Sequence, residues 1–286
     1  MKKLAIFGVG LIGGSLALAL KKAGNAPHIV GIGRNMQSLQ EALQLGMIDE
    51  VASNIADTVK NADLILLAAP VAQTQSILRQ ISPHLSNHTL ITDAGSTKSD
   101  VIANARMALG NKIHQFVPAH PIAGAEKSGA SAAKADLFVG KNVVLTPLAE
   151  NSADNIQMVR NFWLATQAKI YEMPAEIHDQ VFATVSHLPH LLAFALVDEI
   201  ASRENAQQLF GFAASGFRDF TRIAGSHPEM WRDISLANKT ALLKEITAYQ
   251  HKIQQLKQLI ENEDARGLQT LLEHASKIRN DWGKSQ

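Results

Sequence analysis

The chain of 286 residues contains no cysteine. This absence excludes disulfide bonds, thiolate nucleophiles and cysteine-ligated zinc or iron–sulfur sites, so any catalysis must use histidine, carboxylates, hydroxyls, lysine or a bound cofactor. A surplus of charge is also lacking, because 27 Lys and Arg stand against 26 Asp and Glu. A formal net charge of +1 produces no broad electrostatic field, so nucleic acid is not an expected partner.

Long hydrophobic runs are scarce as well, and the first one needs an explanation. Met1, Lys2 and Lys3 precede seventeen uncharged residues, an arrangement that resembles a secretory signal. Four glycines interrupt this run, which is short for a bilayer span and has lysines on both sides. Because no other run approaches the length of a span, we expect a cytoplasmic protein without a membrane segment.

Short apolar runs alternate with helical patterns over about the first 150 residues. An apolar run at 4–7, a helical pattern at 11–22 and a second run at 28–32 have the spacing of a right-handed βαβ crossover. The further strands are predicted at 63–70, 89–93, 115–119 and 142–146, and the further helices at 36–45, 71–81 and 98–109. This alternation predicts an α/β fold, with a Rossmann-type, doubly wound, mostly parallel sheet in a dinucleotide-binding domain of residues 1–150.

The pattern changes after residue 150, where strand-like runs nearly vanish, with 169–172 as the exception. Apolar residues recur at helical spacing over 178–201, 227–261 and 264–278. We therefore expect a C-terminal all-helical domain over 151–286 that serves substrate binding and dimerisation. A homodimer through this domain is the expectation, and an intramolecular bundle is the alternative.

A glycine-rich turn separates the first strand from the first helix and fits the pattern G-x-G-x-x-G. The first glycine allows a tight turn, the second lets the backbone approach a pyrophosphate, and the third lets helix and strand pack closely. The positive end of the helix dipole then favours the phosphates. We predict cofactor contacts from this turn and the start of the helix, from the end of the strand at 63–70, and from the loop after the strand at 89–93. The residues are Gly8, Gly10, Leu11, Ile12, Gly13, Ala69, Pro70 and Ser96.

The end of the second strand departs from the usual NAD pattern. An NAD site normally has Asp or Glu there to accept hydrogen bonds from the ribose, whereas this chain has Gly33 and Arg34. Gly33 leaves room, and the guanidinium of Arg34 suits a 2′-phosphate. We therefore expect NADP to be preferred over NAD; the alternative is a solvated Arg34 without cofactor contact.

His120 and Ser96 are the candidates for chemistry at the sheet edge. His120 follows a predicted strand and is flanked by Pro121 and Gly124, so a rigid loop would hold the imidazole as a base. Ser96 follows the strand at 89–93, where its hydroxyl would either contact substrate or cap the following helix.

Polar residues also interrupt the apolar pattern of the helical domain. Ser186, His187 and His190 surround Pro189, and two histidines three residues apart raise the question of a metal. No Glu or Cys lies at ligand spacing, so we expect no metal and a contact to substrate or cofactor instead. The charged group Arg218, Asp219 and Arg222 is either a surface ion-pair patch or a guanidinium clamp for a carboxylate.

Five stretches in this order make the chain resemble the prephenate/arogenate (cyclohexadienyl) dehydrogenase family over essentially its whole length. They are residues 8–13, 93–98, 120–129, 186–198 and 216–233. The resemblance implies that His120 is the catalytic histidine, Ser96 its partner at the substrate hydroxyl, and Arg222 the ligand of the ring carboxylate. It further implies a pocket lined by Ser186, His187 and His190, with Glu126, Arg218 and Asp219 at its mouth and Trp231 packed nearby.

The implied reaction belongs to tyrosine biosynthesis: NAD(P)-dependent oxidative decarboxylation of prephenate to 4-hydroxyphenylpyruvate, of arogenate to tyrosine, or of both. Ring C4 gives hydride to the nicotinamide while the C1 carboxylate leaves. Tyrosine, if it inhibits, would act as a product analogue. The alternatives are another two-domain dehydrogenase, of the β-hydroxyacid or pyrroline carboxylate reductase type, and a dinucleotide-sensing protein without turnover.

Overall fold

The computed structural model describes residues 1–24, 26–125, 127 and 129–284. Its first sheet has five parallel strands in the spatial order β3-β2-β1-β4-β5. The strands are β1 Lys3–Phe7, β2 His28–Ile32, β3 Glu50–Val51, β4 Leu64–Leu67 and β5 Leu90–Asp93. The strand order reverses between β1 and β4, and open α/β sheets bind their ligands in the crevice that this reversal creates.

The central strands β1 and β4 of this sheet are buried on both faces, which explains why they are almost entirely apolar. Leu4 and Ile6 of β1 belong to one hydrophobic cluster, whereas the alternate residues Ala5 and Phe7 belong to another. The helices along this part of the chain are α1 Leu11–Lys22, α2 Met36–Gln44, α3 Ile55–Lys60, α4 Thr74–Ile81 and α5 Ser99–Leu109. The predicted doubly wound architecture is confirmed.

A smaller sheet follows, and it corrects one predicted strand. It consists of β6 Ala119–Pro121, β7 Asn142–Leu145 and β8 Lys169–Glu172. The predicted strand at 115–119 is wrong, because Gly110–Gln115 forms a 3-10 helix and β6 begins only at Ala119. The side chain of Gln115 turns inward and donates hydrogen bonds to the carbonyl oxygens of Ser86 and Thr89, both at 2.7 Å.

The smaller sheet also extends past the predicted domain boundary. β8 pairs in parallel with β7, although β8 lies beyond residue 150. The boundary at 150 stays a prediction. The remaining helices are α6 Ala153–Leu164, α7 Ala175–Phe182, α8 Leu188–Ala201, α9 Ala206–Gly211, α10 Ser215–Thr221, α11 Pro228–Ala237, α12 Lys239–Glu261 and α13 Ala265–Lys284.

Helices α7 and α8 form one continuous helical segment, joined by a π-helical turn at Ala183–His187. Pro189 lies in the first turn of α8 and has no N–H to donate to the turn before it. The wider π turn accommodates this missing hydrogen bond, so the proline does not end the helix.

This segment, Ala175–Ala201, is a second long hydrophobic run, which the sequence analysis did not expect. Its 27 residues are long and apolar enough to cross a membrane, with a mean hydropathy of 1.4 in the most apolar stretch. The prediction that no other run approaches the length of a bilayer span is therefore wrong. The segment also contains His178, Asp179 and His187, which are buried and hydrogen-bonded to other protein groups, while 28% of its most apolar stretch is buried.

The helical pattern predicted over 227–261 is interrupted at Asn238. This residue ends α11, and its buried side chain donates hydrogen bonds to residues of α7 and of the π turn. The first compact unit of the chain ends at Lys239. A second unit begins at Thr240 and contains most of α12 together with α13.

Candidate active site

The glycine-rich turn lies at the carboxyl end of β1, beside the end of β4. Gly8 has φ +93°, and a Cβ there would lie 2.7 Å from the carbonyl oxygen of Ala68. A Cβ on Gly13 would overlap the carbonyl oxygen of Gly8, whereas a Cβ on Gly10 would meet no atom within 4 Å. The turn is therefore tightly packed beneath and open above the N-terminus of α1. This arrangement fits a pyrophosphate held by backbone N–H groups.

The chain after β4 borders the same turn, because Ala68 supplies the atoms that approach Gly8. Ala69 and Pro70, both predicted cofactor contacts, follow directly and are half-buried and exposed, respectively. Leu11 and Ile12 begin α1 and are half-buried. The structure thus brings together the predicted cofactor residues of the first and fourth strands at one edge.

Gly33 and Arg34 follow β2 and are exposed. Asn35 caps α2, since its side chain accepts a hydrogen bond from the N–H of Ser38 at 3.1 Å. The nearest atoms to a Cβ on Gly33 belong to Leu39, at 3.6 Å, which is ordinary van der Waals contact, so a Cβ would fit there without a clash. No carboxylate occupies this position, and the first charged group is the Arg34 guanidinium.

His120 lies within strand β6, so the predicted loop position is wrong and β7 pairing holds the residue instead. The residue is almost completely buried, with 9% of its surface exposed. Its Nδ1 lies 2.8 Å from Nε2 of His178, and its ring packs edge-on against Phe182. Burial holds the pKa of His120 well below its usual value, and the nearby His178, Lys98 and His187 lower it further. The imidazole is therefore neutral at neutral pH and able to accept a proton or hydrogen bond.

A buried ion pair ties the Ser96 loop to β6. Lys98 Nζ donates to Asp93 Oδ2 at 2.5 Å and to the carbonyl oxygen of Ala119 at 2.7 Å, while Asp93 Oδ1 accepts from the N–H of Ala119. Because Lys98 is fully buried, these contacts fix the loop firmly beside the strand that carries His120.

The structure excludes the capping alternative for Ser96. The residue that caps α5 comes from another helix: the carboxylate of Asp179 accepts from the N–H groups of Lys98 and Ser99, each at 2.8 Å. The backbone of Ser96 lies close enough to the imidazole of His187 to raise the pKa of that histidine slightly, against the larger effect of burial. The Ser96 hydroxyl is thus left for a role other than the cap.

His187 and His190 both pack against Trp231. The His190 ring stacks on the indole at 3.7 Å, and the His187 ring meets it edge-on. Burial lowers the pKa of His187 to about 4 and also lowers the pKa of His190. His190 Nδ1 lies 2.8 Å from the carbonyl oxygen of Ser186, which can only accept, so this nitrogen carries the proton.

The charged residues of the predicted clamp lie near this aromatic group. Arg222 begins a 3-10 turn that packs against α8, and its charge contributes to the lowered pKa of His190. Arg218 and Asp219 are exposed on α10, directly before that turn. Glu126, the other residue predicted at the pocket mouth, lies outside the described residues.

Three residues of the site were missed in the sequence: His178, Asp179 and Asn238. His178 and Asp179 contact the catalytic candidate and the N-terminus of α5, and Asn238 donates to His187 Nδ1 at 3.1 Å. The available signal was the presence of polar residues at buried positions of apolar helices, which proteins retain only when the groups are hydrogen-bonded.

A metal site has no support within the described ranges. No group of three histidine or carboxylate side chains there is arranged to hold an ion. The absence of a metal stays a prediction.

Comparisons with known proteins match both halves of the chain. Residues 16–172 match the family model for the nucleotide-binding domain of prephenate dehydrogenase, and residues 174–274 match the model for its dimerization domain. The chain belongs to the prephenate dehydrogenase family. It is therefore an NAD(P)-dependent oxidoreductase of the prephenate/arogenate dehydrogenase group, as the five motifs predicted.

Individual members of the prephenate dehydrogenase family resemble the chain over most of its length. The prephenate dehydrogenase of Bacillus subtilis is 40% identical over 93% of this chain and 72% of its own. The cyclohexadienyl dehydrogenase of Zymomonas mobilis is 36% identical over 96% of this chain and 92% of its own. The crystal structure of Aquifex aeolicus prephenate dehydrogenase with hydroxyphenyl propionate and NAD+ has a TM-score of 0.92 and 37% identity, covering 98% of both chains.

Membership of the prephenate dehydrogenase family decides between the functions left open by the sequence. It confirms the predicted oxidative decarboxylation in tyrosine biosynthesis over the other two-domain dehydrogenases and over a sensor without turnover. It also confirms the use of a nicotinamide dinucleotide.

Proposed function

We propose that the chain oxidises and decarboxylates prephenate, arogenate or both, with His120 as the hydrogen-bond acceptor for the ring hydroxyl. The observation that carries this assignment is the buried, neutral imidazole of His120 beside the Ser96 loop. A bound nicotinamide supplies the acceptor for the C4 hydride. Release of carbon dioxide from C1 leaves the electron pair that makes the ring aromatic.

His120 acts on the hydroxyl at ring C4. As hydride leaves, the C4–O bond gains carbonyl character and the hydroxyl proton becomes more acidic, so a neutral imidazole accepts a stronger hydrogen bond from it. The proton returns to oxygen when the phenol forms, and the reaction needs no net proton loss there. A protonated His120 would be unable to accept, and burial disfavours that form.

Ser96 and His187 orient the groups around this hydroxyl. The backbone of Ser96 lies beside His187, and the loop is fixed by the buried Lys98. We assign the Ser96 hydroxyl to the substrate hydroxyl or to the His120 imidazole. A fixed donor of this kind lowers the barrier by positioning.

Arg222 binds the ring carboxylate, and the pocket wall consists of Ser186, His187, His190 and Trp231. A guanidinium recognises a carboxylate through two parallel hydrogen bonds. The neutral state of both histidines suits a wall that contacts an apolar ring face. Arg218 and Asp219, exposed on α10, contribute charge at the pocket mouth.

Arg34 sets a preference for NADP over NAD. The support is its exposed position after β2, with room at Gly33 and no carboxylate. The Aquifex relative was solved with NAD+, so the comparison must be measured. We expect Arg34→Ser to lower the NADP/NAD ratio of kcat/KM about 10-fold, and Arg79→Ser on α4 to leave it unchanged. A wild-type enzyme that strongly prefers NAD would refute this assignment.

A homodimer forms through the helical domain. This region exposes several large apolar side chains, namely Val185, Leu196, Phe210, Phe212, Phe220 and Leu236. Such surfaces favour association with a second copy, and the matching family model describes a dimerization domain. Sedimentation velocity should report a dimer that Phe212→Ser weakens, while Met107→Ser, which removes an exposed side chain of α5, has no effect. A wild-type monomer at micromolar concentration would contradict this proposal.

The test of the proposed function is turnover with each substrate and each cofactor, followed by the absorbance of reduced nicotinamide. Formation of carbon dioxide in equal amount confirms decarboxylation. Absence of turnover with both prephenate and arogenate would refute the proposal. Addition of tyrosine then tests product inhibition, which should appear as competition with substrate. The cytoplasmic location stays a prediction.

A further inference from the structure

Three buried side chains form a continuous hydrogen-bonded chain that ends at His120. His120 Nδ1 lies 2.8 Å from Nε2 of His178, and His178 Nδ1 lies 2.9 Å from Oδ1 of Asp179. His178 is fully buried, and Asp179 is 5% exposed. The chain therefore connects the base in β6 to a carboxylate in α7, away from solvent.

The direction of each hydrogen bond follows from the carboxylate. Burial raises the pKa of Asp179, but hydrogen bonds from His178, Ser99 and Lys98 outweigh this effect and hold it below its usual value. The ionised carboxylate can only accept, so His178 Nδ1 carries a proton. Burial lowers the pKa of His178 and keeps it neutral, so its Nε2 accepts from His120 Nδ1. The lone pair of neutral His120 is then on Nε2.

We propose that His178 and Asp179 are positioning residues that hold His120 in the tautomer whose Nε2 lone pair accepts the substrate hydroxyl. The inference rests on the proposed function, because it assigns Nε2 as the atom that meets the ring. Without these partners, the proton would move between the two ring nitrogens, and the form with Nε2–H would be a donor where an acceptor is needed.

The surrounding contacts keep this chain in one arrangement. The Asp179 carboxylate accepts from the N–H groups of Lys98 and Ser99, so it cannot rotate away from His178. The backbone oxygen of Asp179 accepts from Asn238 Nδ2 at 2.7 Å. Lys98 also places a buried ammonium near both imidazoles, which disfavours charge on them. The hydrogen-bonded series of His120, His178 and Asp179 thus fixes the orientation of the His120 ring and does not store a proton.

The competing explanation is that His178 only fills space. Its ring packs against Phe182 at 4.5 Å and against His120 at 5.1 Å between centroids. If packing were its whole role, another ring of similar size would suffice. If the acceptor atom matters, a side chain without a ring but with an oxygen near the Nε2 position would serve better.

Two substitutions separate these explanations. His178→Phe keeps a ring but offers no acceptor, and we expect kcat to fall about 10-fold or more with KM within about 3-fold of wild type. His178→Gln places a carbonyl oxygen near the position of Nε2, and we expect it to retain most of kcat. The reverse order, an active Phe variant and an impaired Gln variant, would overturn the proposal.

Histidine nitrogen NMR gives a second measurement that needs neither substrate nor turnover. In ¹⁵N-histidine-labelled wild-type enzyme, with signals assigned through His120→Gln, Nδ1 of His120 should be protonated and Nε2 unprotonated at neutral pH. A protonated Nε2 would overturn the inference even if the variants fail to fold. If the tautomer is as expected but neither substrate turns over, the proposed function fails and the tautomer assignment stands.

Asp179 also caps the N-terminus of α5, so a matched control must measure the effect of losing a helix cap alone. In Asp179→Ala, the cap of α5 and the acceptor for His178 Nδ1 are lost together, so both stability and kcat should fall. Ser152 caps α6 in the same way, by accepting from the N–H of Asn155. Ser152→Ala should lower stability by a similar mechanism and leave kcat unchanged; an equal loss of kcat there would attribute the Asp179 effect to stability.

Discussion

Two alanine substitutions in the glycine-rich turn should separate stability from cofactor binding, because Gly13→Ala should lower stability and Gly10→Ala should weaken cofactor binding. In Gly13→Ala, the new Cβ overlaps the Gly8 carbonyl oxygen and lies 2.9 Å from Ile6 Cγ2. Backbone atoms cannot yield as a flexible side chain would, so overpacking costs about 1–3 kcal/mol, of which up to about 1 kcal/mol is offset by the better helix propensity of alanine. For a chain of this size the melting temperature should fall by about 2–4 °C per kcal/mol.

Gly10→Ala is the matched substitution, because its Cβ meets no protein atom within 4 Å and its backbone φ is −97°. We expect the melting temperature without cofactor to stay within about 2 °C of wild type. The same methyl group fills the space in which a pyrophosphate would approach the backbone, so the dissociation constant for the dinucleotide should rise about 10-fold or more, or about 1.4 kcal/mol.

The assay combines thermal unfolding without cofactor and calorimetric titration with NAD and NADP. A Gly10→Ala variant that binds both dinucleotides as tightly as wild type would refute the placement of the pyrophosphate over this residue. A Gly13→Ala variant with unchanged stability would show that the turn relaxes more easily than its contacts indicate.

Three further predictions concern the candidate site. His120→Asn should lower kcat about 10²-fold or more while substrate binding is retained, and near-normal turnover would exclude the role of His120 as acceptor. Arg222→Ala should mainly raise KM, by about 10-fold, and an unchanged KM in initial-rate measurements would remove Arg222 from the carboxylate site. His187 has a folded-state pKa of about 4 against an ordinary value of 6.5, so between these pH values the unfolded chain binds more protons. Its contribution to stability is therefore complete above about pH 6.5 and is lost as pH falls, at up to about 1.4 kcal/mol per pH unit. Urea unfolding at several pH values should give a shallower acid loss for His187→Gln than for wild type.

The first part of the fold was predictable because local signals there agree with tertiary structure. The strands that became β1, β2 and β4 are buried along nearly their whole length and therefore appear as short apolar runs, whereas β5 ends in the buried polar residues Thr92 and Asp93. The strand at 115–119 was misplaced because Gln115 is buried by specific hydrogen bonds to backbone carbonyls. Such contacts span nearly thirty residues, and no local pattern encodes them.

The helical half was predicted as a class of structure but not in its breaks. The π turn at Ala183–His187 and the interruption at Asn238 both occur where polar side chains turn toward the site. Helical periodicity describes which face is apolar, and it carries no information about a polar group that bonds to another helix.

The candidate site divides in the same way, between residues that stand out in short motifs and residues defined only by contact. The glycine turn and the segment around His120 carry unusual local sequences, with closely spaced glycines in the first and a His-Pro pair at the end of a strand in the second. His178 and Asp179 act through atoms contributed by two other segments, β6 and the start of α5. A carboxylate that caps one helix while orienting an imidazole from a strand must satisfy both partners at once. The same residue thus links the stability of the α5 N-terminus to the protonation geometry of the base, and substitutions that preserve one of these functions need not preserve the other.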